Sequence, residues 1–326
     1  MNDKLQLPLE VPNYHCYPHV TFNSYIVAAK SLNVYLHWIM NKYINCVLFS
    51  KYHPNTHDDL FYIDVSKDNY FNEQELYCRP IYINVEPSTL IELSPIMINI
   101  IKECVKNNTY LVCKSCFASE TSKTYECIVV GYNDNCSRFH IKAFNADESI
   151  VDKEIDCEEF VISFVPNLQR QIVLQFWICN SDDTSYDIKC DGFKNELKDY
   201  LFSTNSKGID SEGLIFGINA EHALIGYLSM KIDIGDKIEI KYIAEFAEHK
   251  DLMQKRIRFL HQNGIVTELE YNQIKSISDE AIACINVGKE YNYKCEKVIG
   301  RKLIYLMKIV LEKQEAFLRK LLVDLD

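Results

Sequence analysis

Apolar residues in the second half of the chain recur every three or four positions over long stretches. Residues 241–262, 268–287 and 297–325 all show this spacing, which marks one face of a long helix. The last of these carries Ile304, Met307, Val310, Leu311, Phe317, Leu318 and Leu321. Residues 193–202 and 221–230 follow the same period over shorter spans. Antiparallel helix packing is the expected way to bury such stripes.

The first half mixes helical and strand periods. Residues 20–29 read as a helix whose pattern continues past Leu32 towards Trp38 and Met40. Residues 46–49 and 60–65 are short apolar runs that read as strands, and 80–85 alternates as another. The stretch 89–105 predicts a helix with Leu90, Leu93, Ile96, Ile98, Ile101 and Val105 on one broad stripe. Strands follow at 110–113, 126–132 and 139–144. The turn-forming Asn133-Asp134-Asn135 between the last two predicts a hairpin. One more strand is expected at 171–179. The change of period divides the chain into an α+β domain at 1–167 and a mixed, then mainly helical, domain at 168–326.

Composition narrows the function classes. With 326 residues, 48% of them hydrophobic, the chain can bury two cores. Its net charge of -11 argues against general nucleic-acid binding, for which a basic surface supplies most of the affinity. The 13 cysteines are odd in number and scattered, so they read as small buried side chains in a reducing compartment. No signal-peptide pattern opens the sequence, and no apolar run reaches the length that spans a bilayer. A cytoplasmic protein without membrane contact is therefore expected. The apolar C-terminal helices are compatible with a homodimer.

Two stretches carry candidate chemistry. Tyr14-His15-Cys16-Tyr17-Pro18-His19 stands just before a predicted helix, and a thiol at a helix N-terminus is biased towards thiolate. The second comprises Ile128-Val129-Val130-Gly131-Tyr132-Asn133-Asp134 and Phe139-His140-Ile141, ending at Asn145. Together they resemble the papain-like C39 peptidase group, and more closely the family named for the N-terminal domain of butirosin biosynthesis protein H. His249-Lys250-Asp251-Leu252-Met253 and Arg256-Ile257 extend the similarity to relatives from nonribosomal biosynthesis clusters.

The resemblance implies a papain-like (C39-like) fold and acyl transfer. Cys16 would take an acyl group from the phosphopantetheine thioester of an acyl or peptidyl carrier protein and pass it to a small amine. Amide-forming proteins of the closthioamide type, from thiotemplated antibiotic pathways, are of this kind. No other cofactor and no metal is implied. Asn145 falls where the family orients its base. The base position itself, six residues before Gly131, holds Tyr125, followed by Glu126 and Cys127 rather than a histidine. Tyr125 and Glu126 titrate far from neutrality when unperturbed. Either Glu126 is raised by burial, or His15, His19 or His140 substitutes. The alternatives are a catalytically inactive binding module of an assembly line, or a cysteine peptidase.

Two further patterns weigh less. Cys113-Lys114-Ser115-Cys116 has redox or metal spacing, but zinc wants a second close pair and a redox motif usually opens a helix. Lys250, Lys255, Arg256 and Arg258, with His249, form a basic cluster on a predicted helix. It reads either as a docking patch for an acidic carrier protein or as a solvated helix face.

Overall fold

The computed structural model describes residues 4–6, 39–40, 44–49, 61–63, 76–83, 86–115, 125–133, 135, 137–144, 150–164, 172–179, 190–204, 206 and 213–325. Its elements begin with β1 (Lys4–Gln6), β2 (Cys46–Phe49), β3 (Phe61–Ile63), β4 (Leu76–Ile83) and α1 (Pro87–Lys106). There follow β5 (Tyr110–Ser115), β6 (Tyr125–Asn133), β7 (Arg138–Phe144), β8 (Ile150–Asp156), α2 (Cys157–Ile162) and β9 (Ile172–Cys179). The rest comprises α3 (Cys190–Phe202), β10 (Leu214–Phe216), α4 (Gly217–Ile234), α5 (Ile240–Gln262), α6 (Glu268–Lys294) and α7 (Lys297–Asp324). The class is α+β. Among the described residues no helix is long and apolar enough to cross a membrane.

The chain forms two compact units, Met1–Tyr35 with Phe71–Thr184, and Leu36–Tyr70 with Ser185–Asp326. The pattern of the sequence put a boundary at 167/168. In the structure β9 lies beyond that point yet pairs with β4 and β5 inside the first unit, while 36–70 joins the second. An apolar run announces a strand but does not reveal its sheet partner.

The first unit is built on an antiparallel sheet in the order β4-β9-β5-β6-β7-β8, with β1 also on β6. β5 pairs with Tyr125–Val129 of β6, and β1 with Gly131–Asn133 beyond an irregularity at Val129/Gly131. The predicted hairpin is present, with the Asn133 side chain accepting from the Asn135 N–H at 3.1 Å. Pro80 lies within β4, at the edge of the sheet, where a missing N–H is tolerated.

Helix α1 packs on β5, β6 and α2. Its buried line is Leu90, Ser94, Met97, Ile101 and Val105, whereas Leu93 and Ile96 of the expected stripe are exposed, as are Ile91 and Ile100. These exposed apolar residues stand beside Glu92, Asn99 and Glu103, so the apolar stripe is broader than the face that is buried. At α2 the Asp156 carboxylate caps the first turn by accepting from the Glu158 and Glu159 N–H groups, and Phe160 packs edge-on to Phe139 and Phe164.

The second unit pairs β10-β2-β3 antiparallel and packs α4 and α5 against them, while α3, α6 and α7 pack on those helices and on one another. The three long helices form where their stripes predict. A capping box at Thr267/Glu270 starts α6, and Cys295, at φ 54, turns the chain between α6 and α7. Gly288 and Gly300 allow close packing. A Cβ at Gly300 would stand 2.5 Å from Ile232 Cγ2, and one at Gly288 would stand 2.5 Å from Ile243 Cδ1.

Candidate functional site

Cys16 and Asn145, with His15 and His19, lie outside the described residues. Tyr125 and Glu126 open β6 opposite Ser115 and Lys114 of β5. One residue further, Cys127 pairs with Ala143, next to Phe144, which closes β7. His140 sits opposite Glu154 of β8, its Nδ1 3.1 Å from the Glu154 carboxylate. Cys113, the first cysteine of the CxxC, meets Cys127 across β5 and β6, with the sulfurs 3.5 Å apart.

The basic cluster requires a correction. His249, Lys250 and Arg256 are completely buried, Lys255 pairs with Asp251 at 2.8 Å, and Arg258 is exposed. These residues form no basic surface patch on α5. Positions 246, 250, 253, 257 and 260 lie on the helix face that enters the core, and Lys250 interrupts an otherwise apolar line.

What Lys250 meets there is a closed polar network drawn from five elements. The Glu221 carboxylate, one turn into α4, stands at the centre. Lys250 Nζ lies 2.5 Å from both of its oxygens and 3.3 Å from His249 Nδ1. Tyr200 of α3 donates its O–H to Glu221 Oε2 at 2.8 Å, and the Cys46 thiol of β2 donates to Oε1 at 3.6 Å. His249 Nε2 is 2.7 Å from the Ile44 carbonyl, which can only accept, so Nε2 carries a proton, while Nδ1 lies 3.0 Å from Glu221 Oε1 and 3.3 Å from Lys250 Nζ. Gln314 of α7 completes the set. Its Oε1 lies 3.3 Å from the Tyr200 oxygen and its buried Nε2 has no hydrogen-bond partner. The single phenol proton goes to Glu221, so turning the amide over lets Nε2–H donate to Tyr200.

Gly217 is what brings Tyr200 to this centre. It has φ +61, and a Cβ there would collide with the Tyr200 carbonyl, so α4 can start against α3 only with glycine at this position. Glu221 follows four residues later on the buried face of α4.

Electrostatics favour an ionised Lys–Glu pair. Burial pushes the Glu221 carboxyl up, but Lys250 and His249 outweigh it and hold the group at about 2. Burial lowers His249, and the adjacent Lys250 lowers it further. Lys250 is also lowered, chiefly by burial, against the pull of Glu221. Burial and the Glu221 charge raise Tyr200 well above its ordinary range. The charges of Lys250 and Glu221 cancel, and each strong donor has an acceptor, which is the condition for a buried ion pair to persist.

Cys46, Glu221 and His249 offer a thiol, a carboxylate and an imidazole nitrogen within 4.8 Å of one another, a donor set of metal-binding type. The surroundings do not fit a metal. His249 Nδ1 lies 3.0 Å from Glu221 Oε1, and Lys250 Nζ sits against both carboxylate oxygens and 3.3 Å from Nδ1, so its positive charge already neutralises the carboxylate and opposes a cation at these donors. No protein-family model matches the chain, and a search of curated proteins finds no match.

Proposed function

We propose that the chain is a cysteine-dependent acyl-transfer protein whose first unit is papain-like. It takes an acyl group from a carrier-protein thioester and passes it to a small amine in thiotemplated natural-product biosynthesis, in the cytoplasm. The pairing of β6 with β7 carries the reading. Cys127 lies opposite Ala143, β6 opens at Tyr125 and β7 closes at Phe144, so in sequence the base position begins one strand of the pair and the Asn position directly follows the other. That cross-strand relation is the one the papain-like resemblance requires. β1 lies against the other end of β6, and the ten residues from Gln6 to Cys16 can span at most ~35 Å, enough to run the length of that strand.

The chemistry balances without a cofactor of the protein's own. The Cys16 thiolate attacks the thioester carbonyl, and backbone N–H groups at the start of its helix stabilise the oxyanion. The new C–S bond forms as the old one breaks, and the pantetheine thiolate leaves with the proton Cys16 gave up. An amine then attacks the acyl-cysteine, and its proton passes to the departing Cys16 sulfur. A thiol leaves readily, so this exchange asks less of a base than amide hydrolysis, and Tyr125 or Glu126 stands where histidine would otherwise act.

The test is intact-protein mass spectrometry after incubation with an acyl-loaded carrier protein. An acyl adduct on the wild type that disappears in Cys16→Ala is expected. No adduct on the wild type, or an adduct kept by Cys16→Ala, refutes the mechanism. Tyr125 at the base position favours one second reading, a non-catalytic module that binds the carrier. In that case binding survives Cys16→Ala and no adduct forms.

A further inference from the structure

Cys113 and Cys127 are direct partners across two antiparallel strands and both are buried. Partners of this kind have Cα atoms about 4.5 or 5.5 Å apart, and both separations fall within the range a disulfide bridges. The sulfurs already face each other at 3.5 Å, so closure to the ~2.05 Å bond requires small side-chain rotations rather than strand movement. The CxxC spacing in the sequence draws attention to Cys113 and Cys116. Among the described residues, which do not include Cys116, the fold gives Cys113 a partner fourteen residues away.

We propose that Cys113 and Cys127 are an oxidation site of the first unit, forming a reversible cross-strand disulfide that locks β5 to β6. With hydrogen peroxide as oxidant, one thiolate attacks a peroxide oxygen, giving a sulfenic acid and releasing hydroxide, which takes up the proton lost by the thiol to become water. The second thiol displaces the sulfenic oxygen as a second water and forms the S–S bond. Two thiols are oxidised and one peroxide is reduced, and a dithiol reverses the change. The covalent ring encloses Lys114 to Glu126, so oxidation fixes the register at which Tyr125 and Glu126 enter β6. Both sulfurs are buried, so the reaction waits on local opening of the strands and proceeds more slowly than oxidation of exposed thiols.

The full chain is treated with hydrogen peroxide, alkylated under denaturing conditions and digested without reductant. The expected product is a Cys113–Cys127 linked peptide, two hydrogens lighter than the sum of its parts and lost on dithiothreitol treatment. Cys116→Ser retains the link, and the oxidised protein unfolds at a higher temperature than the reduced one. Linkage of Cys113 to Cys116, or full alkylation of both Cys113 and Cys127 after prolonged excess peroxide, overturns the proposal. The peptide map of the wild type decides the matter even if a substitution at Cys127 fails to fold.

Discussion

Replacing Lys250 by methionine tests the buried network directly. The change keeps most of the side-chain volume and removes the only charge that balances Glu221 within the cluster. Glu221 would retain the Tyr200 hydroxyl and the Cys46 thiol as donors and would lose both 2.5 Å contacts. A carboxyl held at about 2 rather than 4.5 is stabilised in its ionised form by ~3 kcal/mol. Removing one partner of a buried pair generally costs about 3–5 kcal/mol. Lys250→Met is therefore expected to destabilise the second unit by ~3–5 kcal/mol at neutral pH. Adding Glu221→Gln removes the stranded charge and leaves an acceptor for Tyr200, so the double variant should regain at least half of the loss. Hydrogen exchange of the α5 amides under increasing urea reads this in the second unit alone. A loss below ~1 kcal/mol, the value of an exposed pair, would refute the reasoning, as would additive effects in the double variant.

Two other outcomes follow from the same unit. Acidification should weaken it in two stages. His249 is held below 6.5, so as pH falls past 6.5 the unfolded chain takes up a proton that the folded one refuses, and stability drops. Glu221, at about 2 against 4.5, adds stability that is fully present above 4.5 and is lost as pH falls from there towards 2. Urea midpoints from pH 7.5 to 3 should show both stages, and a flat profile down to pH 5 would exclude the first. The helix glycines should split in sign. Gly226→Ala, with open space around its Cβ, should stabilise by ~0.5–1 kcal/mol, while Gly300→Ala, driven into Ile232 and Tyr291, should destabilise by ~1–3 kcal/mol. Thermal unfolding of the two variants checks the contrast, and equal shifts would contradict the packing described for α7.

Most elements were legible because their periods are clean, but the face each element buries was legible only where polar residues mark the opposite side. The helices α5 to α7 satisfy that condition, whereas on α1 the exposed Ile91, Leu93, Ile96 and Ile100 stand among Glu92, Asn99 and Glu103 and compete with the buried line. The short β1, β8 and β10 and the helix α2 escaped notice because three to seven residues make too little of either period. The network was hidden for a different reason. His249, Lys250, Arg256 and Arg258 look like a charged helix surface when read as a cluster of neighbours. Read at helical spacing, Lys250 falls in line with Phe246, Met253 and Ile257, and Glu221 falls in line with Ile218, Leu224 and Leu228. A cation and an anion each standing in an apolar stripe, on helices of one unit, must either be paired or bear a heavy desolvation cost. That inference was available from the sequence. The identity of Cys46, Tyr200 and Gln314, which join Glu221, Lys250 and His249, was not, because β2, α3 and α7 reach the pair only through tertiary packing. The same argument bears on what the cluster does. The charges of Lys250 and Glu221 cancel, so the cluster favours an arrangement of these five elements that keeps the pair together. The chemistry proposed for the chain is left to the first unit, where the thiol and the β6–β7 pairing carry it.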